Sequence, residues 1–215
     1  FLNKWLRNVS IANKLYFVLC TMALLIVLEL LTLIFAINTL SSVRAYVGAE
    51  GLWSKAQKDA VYTLRKYGQS KDEKDYQEYL NFLEVNMGDS KALVELKKKD
   101  PNMEIAREGF LQARNHPDDI EGMIKLFRNF HWIYYIDKCI YYWTQGDLLI
   151  AELQVSGNKL HIYMNSGQAS QAGINKILKE IDGLNRRLTD VEDNFSYTLG
   201  GGSRWLKNLI LIILF

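Results

Sequence analysis

The feature that most constrains this chain is an apolar run from Leu15 to Ile37 that contains one charged residue, Glu29. As a helix these 23 residues extend roughly 34 Å, enough to cross a bilayer's hydrocarbon core with modest tilt. A cleaved signal peptide is the competing reading. Its apolar stretch is usually about 7 to 15 residues long and ends at a small-residue cleavage site, for which TLSSVRAY is a poor match. Lys4, Arg7 and Lys14 precede the run with no acid before Glu29, so the positive-inside rule places residues 1–14 in the cytoplasm and the chain after Ile37 outside. Leu209 to Phe215 is a second apolar stretch, shorter than the roughly 20 residues of a full span. The expectation is that 15–37 is transmembrane helix 1 and that 205–215 is the truncated start of transmembrane helix 2. The remaining part of a longer polypeptide then lies inside the cell.

Between these ends lies an extracytoplasmic domain, residues 38–204. Of 26 Lys and Arg and 24 Asp and Glu, the N-terminal 37 residues hold three and one, so the outer segment is electrically balanced. That balance argues against nucleic acid as a partner. Cys20 and Cys139 fall on different sides of the predicted membrane boundary and cannot form a disulfide framework, and no cofactor is expected.

Only Pro101 and Pro117 interrupt the outer segment, and hairpin dipeptides between alternating strands are absent. From Ile174 the apolar positions step by three and four through Ile177, Leu178, Ile181, Leu184, Leu188, Val191, Phe195 and Leu199, the pattern of one helix face. Turn chemistry at 68–72, 99–102, 115–119 and 165–168 divides the segment into long helices at 38–67, 73–98, 130–164 and 168–199, with two short helical pieces after the second. Asp100 before Pro101 suits a helix cap. The predicted fold is all-α: a membrane-anchored antiparallel up-down four-helix bundle with a broken second helix, flanked by two transmembrane helices.

Two stretches stand out as candidate binding segments. FRNFHWIYYIDKCIYYW, 127–143, holds eight of the chain's 26 aromatic residues, a density that fits either core packing with a membrane-surface belt or a ligand pocket. RAYVGAEGLWSKAQKDAV, 44–61, is its expected neighbour. If Leu40, Val43 and Val47 mark the inward seam of this helix, heptad spacing turns Glu50, Ser54 and Gln57 inward. A rotated helix buries Tyr46, Ala49, Trp53 and Ala56 instead. The pocket reading names Arg44, Glu50, Trp53, Lys55, Lys58, Arg128, Lys138, Tyr141, Tyr142 and Trp143 as ligand contacts. Its positive charge and flat apolar walls fit a small anionic or aromatic solute. Glu29, inside the first span, is expected to be neutral or paired at a helix interface. Gly200, Gly201 and Gly202 are expected to weaken helix continuity, either as a compliant joint or as a simple helix end, with Trp205 anchoring at the interface.

His116, His131 and His161 are scattered without metal-ligand spacing, and HPDD at 116–119 reads as a helix start. No phosphate-binding glycine loop, nucleophile elbow or Cys and His pair is present, so no catalytic site is expected in these residues. Sequons at Asn8 and Asn194 carry no meaning in a bacterial source.

SIANKLYFVL, 10–19, resembles the amphipathic entry to the first span of chemoreceptors and sensor kinases. RAYVGAEGLWSKAQKDAVYTLRKYG, HPDDIEGMIKLFRNF, GDLLIAELQ and DNFSYTLGGGSRW resemble the N-terminal sensor region of hybrid sensor histidine kinases and related diguanylate cyclases. The likeness covers most of residues 10–208. It implies a transmembrane receptor of the bacterial inner membrane, with its sensor in the periplasm or outside. The implied output is a two-component histidine kinase, or alternatively a cyclase or chemoreceptor, although no kinase motif lies in this sequence. Expected partners are the lipid bilayer, a second copy in a homodimer, and a small ligand or periplasmic protein. A non-enzymatic envelope tether or interaction scaffold is the alternative of a different class.

Overall fold

The computed structural model describes residues 10–214. Lys4, Arg7, Asn8 and Phe215, on which parts of the topology reading rest, lie outside the described residues. Those described form six helices and no strand: α1 (Ile11–Ser70), α2 (Glu73–Leu96), α3 (Met103–Gln112), α4 (Pro117–Phe130), α5 (Tyr134–Asn165) and α6 (Gln171–Leu214). The chain is all-α.

Caps explain most boundaries. Ser10 opens α1 by accepting from the Asn13 amide, and Lys71 closes it in the left-handed region at φ 58°. Asp72 caps α2 through the Lys74 amide, with Glu73 and Asp75 placed favourably for the helix dipole in its first turn. His116 accepts from the Asp118 amide and Pro117 takes the first turn of α4. The cap of α3 differs from expectation. Asn102, not Asp100, accepts from the Glu104 and Ile105 amides, while Glu95 of α2 accepts from the Asn102 amide at 2.7 Å and fixes the turn there.

Two further expectations are corrected. The outer helix does not begin near residue 38, because α1 runs without a break from the apolar segment into the body. Nor does the last helix end at 199. Gly200, Gly201 and Gly202 are helical within α6, and a side chain at Gly201 or Gly202 would press on Tyr135 of α5, at 3.2 and 2.9 Å. These glycines admit a neighbouring ring.

Four helices share one core. Leu64 and Tyr67 of α1, Tyr79 and Leu83 of α2, Leu153 and Leu160 of α5, and Ile174, Ile181 and Leu188 of α6 are all essentially inaccessible. Contacts run Tyr67 to Tyr76 and Trp53 to Asn86 between α1 and α2, then Lys159 to Glu180 and Glu152 to Arg187 between α5 and α6. In each pair the numbering rises on one helix as it falls on the other. A second core joins Val43, Tyr46 and Ala49 of α1 to Leu93 and Leu96 of α2, Phe110 of α3, and Met123 and Phe127 of α4. Here α2 and α3 cross backbone to backbone: a Cβ on Gly88 would lie 2.6 Å from the Ala113 amide nitrogen. The proline-marked insert is therefore packed against residues 42–49 of α1, and it excludes water from that end of the body.

Between Ile11 and Ser70, α1 carries a stretch long and apolar enough to cross a membrane, none of it buried within the molecule. Glu29 is exposed there.

Candidate functional site

Which face α1 turns inward decides the site. The buried row is Tyr46, Ala49, Trp53, Ala56 and Ala60, whereas Leu40 and Val47 are 36% and 50% exposed. The rotated alternative describes the helix, and the reason is the insert. Tyr46 donates its hydroxyl to the Met123 carbonyl of α4 at 3.0 Å and packs edge-on against Phe110 of α3 and Trp143 of α5. Glu50, Ser54 and Gln57 consequently lie on the flank facing α6. Gln57 donates to Asn185 at 2.9 Å, and the Ser54 hydroxyl donates to Oε2 of Glu192 at 3.0 Å.

Just above the Tyr46 ring the four long helices part around a cleft with about 480 Å³ of atom-free space. Its aromatic walls are Tyr46, Trp53, Tyr142, Trp143 and Phe195, and its polar lining comes from Glu50, Asp89 and Glu192. Gly146 allows the close fit of α5 to α1, since a Cβ there would sit 3.3 Å from Cζ2 of Trp53. Lys58 reaches Oε2 of Glu192 at 3.0 Å from the outer side, with 54% of its side chain exposed.

The carboxylates are far from water. Asp89 and Glu192 are 4% and 6% exposed. Oδ1 of Asp89, Oε1 of Glu192 and Nε1 of Trp53 have no hydrogen-bond partner, nor does Oδ1 of the nearby Asp147. Burial raises the Asp89 carboxyl well above its ordinary range, and the neighbouring Asp147 adds to this. Burial likewise pushes Asp147 up to about 6. Glu50 is raised first by burial and then by Glu192, with Lys58 opposing. Unpaired buried acceptors of this kind are costly in a helical core. Among the described residues no group of three or more His, Cys, Asp or Glu is placed to hold a metal ion.

Of the ten residues named from sequence, Glu50, Trp53, Tyr142 and Trp143 come together at this cleft. The basic residues do not. Arg44 pairs with Asp119 at 2.7 Å on the outside, Lys55 is exposed, and Lys58 is spent on Glu192. Arg128 donates to the carbonyls of Leu96 and Lys98 at the end of α2. Lys138 lies over the rings of Tyr141 and Tyr142, at 5.1 and 5.4 Å, and Tyr141 is 51% exposed. The positive lining expected from the sequence is therefore absent from the cleft, and its charge is acidic. Sequence reasoning missed Asp89, Gly146 and Glu192. A signal existed in Glu192, an acid one residue beyond Val191 on the apolar stripe of α6.

Below Tyr46, Trp143 and Phe195 the cleft adjoins an apolar groove that also takes in Phe35, Phe130 and Trp205. Trp205 packs at 6.1 Å from Tyr135. Comparison with protein-family models, curated proteins and solved structures gives no match.

Proposed function

We propose that the chain is the sensor portion of a transmembrane signal receptor. In this reading residues 38–204 form an antiparallel up-down four-helix bundle, with its second helix broken by the α3–α4 insert, held outside the cytoplasm by membrane helices at both ends. The observation that carries the proposal is the sharing of one cleft by the two helices that lead out of the body. Glu50 and Trp53 lie on α1 and Glu192 and Phe195 on α6, and each helix continues unbroken into an apolar terminal segment. A ligand that prefers one spacing of these walls shifts the relative position of the two segments, and its differential affinity sets the size of the shift. The resemblance to sensor histidine kinases supplies the output, phosphotransfer in the cytoplasm, with a homodimer as the working unit.

The test is topological. Reporter fusions after residue 60 or 160 are expected to be active only outside the cytoplasm. Cytoplasmic activity at either position overturns the receptor reading.

A further inference from the structure

The cleft's chemistry selects a ligand class, and the following rests on the sensor reading of that cleft. We propose that it binds a small organic ammonium, a protonated amine with an apolar body, its charge held by Glu192 and Glu50 and its body seated on Trp53, Tyr142 and Trp143.

Charge is the first argument. The lining holds three acidic side chains and no Lys, Arg or His. The one cation nearby, Lys58, engages Oε2 of Glu192 and leaves Oε1 without a donor, although Glu192 is 6% exposed. An ammonium supplies the N–H donor that this oxygen lacks, and a second acceptor, Oδ1 of Asp89, is in the same condition.

The walls are the second argument. Indole and phenol faces attract cations through their quadrupoles, and the attraction grows when water is excluded. Trp53 is held in place for this purpose by the bare backbone of Gly146, where any side chain would displace the indole. The adjoining apolar groove, reached past Tyr46, Trp143 and Phe195, gives room for a hydrocarbon or aromatic body.

Competing ligand classes fit less well. An anion meets like charge and no basic group. A neutral aromatic solute fills the walls but leaves the buried carboxylate oxygens without donors, at the full cost of that desolvation. A metal ion lacks a ligand set among the described residues.

The experiment uses the full chain in detergent micelles and reads thermal stabilisation and calorimetric binding. Probes are phenethylammonium, n-butylammonium, 3-phenylpropionate and phenethyl alcohol. The ammonium probes are expected to raise Tm in a concentration-dependent way while the anion and the alcohol do not. Glu192→Gln, which keeps a side chain able to meet the Ser54 hydroxyl, is expected to weaken phenethylammonium binding by about tenfold or more. Glu50→Gln, at a half-buried position that tolerates the change, is expected to weaken it in the same direction, so the test survives if the first variant folds poorly. No response to either ammonium, an equal response to the alcohol, or affinity unchanged in both variants overturns the assignment. Stabilisation by 3-phenylpropionate that Trp53→Phe removes also overturns it while leaving the cleft a ligand site. The reporter fusions test the receptor reading separately, since inward topology defeats that reading whatever the cleft binds.

Discussion

At the residue scale the buried acids make this protein's stability depend on pH in an uncommon direction. The folded chain holds the Asp147 proton up to about 6, whereas an exposed aspartate releases it near 3.8. A carboxyl raised on folding contributes most below its unfolded value, and that contribution is lost as pH rises through the folded value. The groups that set the shift are burial first, then a hydrogen bond from Ser90 and the charge of Lys97 acting the other way. Asp89 and Glu50 shift in the same sense. Surface acids such as Glu95 and Glu121, lowered by Lys98 and Arg107, shift oppositely. Comparison with a single variant isolates the Asp147 effect: the Tm advantage of Asp147→Asn is expected to grow between about pH 5 and about pH 7. An advantage that stays constant over that range counts against the buried, proton-holding aspartate.

At the element scale, α6 shows how a propensity argument fails. Three successive glycines weaken a helix by roughly 1 kcal/mol each relative to alanine, which is why a break at 200–202 is the natural expectation. Packing overrides it, because only a glycine face lets Tyr135 lie against α6. The three positions are therefore not equivalent. At Gly200 the nearest atom to an added Cβ is the end of the Arg204 side chain at 3.4 Å, whereas at Gly202 it is Cβ of Tyr135 at 2.9 Å. Gly200→Ala is expected to stabilise the chain by roughly 0.5–1 kcal/mol, and Gly202→Ala to destabilise it by about 1 kcal/mol or more. Thermal unfolding of the two variants decides, and equal stabilisation by both sinks the packing account. A compliant joint at this place is harder to sustain when the segment is continuous helix with a ring against it.

At the scale of the whole molecule, the helices and most of their breaks were legible in the sequence, because Pro117, Asp72 and the three-and-four apolar steps of α6 are local signals. The inward face of α1 was not. Two seams one position apart fit its sequence equally well, and the choice falls to Phe110 and Met123, which lie on the insert. The site was half legible for the same reason. Its aromatic walls crowd into 127–143 and announce themselves, while Asp89 and Glu192 are single acids on distant helices that only the fold brings beside Glu50. Counting charges along α1 and α5 gave the wrong sign for the cleft, since their Lys and Arg residues point outward or cap helix ends. The topology prediction belongs to this scale too. Both reporter sites, after 60 and after 160, flank the core that the four long helices share, so they must report the same side.

Cys139 offers a clock. Its thiol is 8% exposed at the border of the apolar groove, and burial pushes it up to about 12, so almost no thiolate is available to an aqueous reagent. Disulfide exchange at that sulfur therefore requires α5 to part from its neighbours, and the measured rate reads how often it does so. In a Cys20→Ser background, Cys139 is expected to react at least about a hundredfold more slowly than free cysteine, and more slowly again when the adjoining cleft is filled. A rate near that of free cysteine means that this end of the helical body stands open in solution.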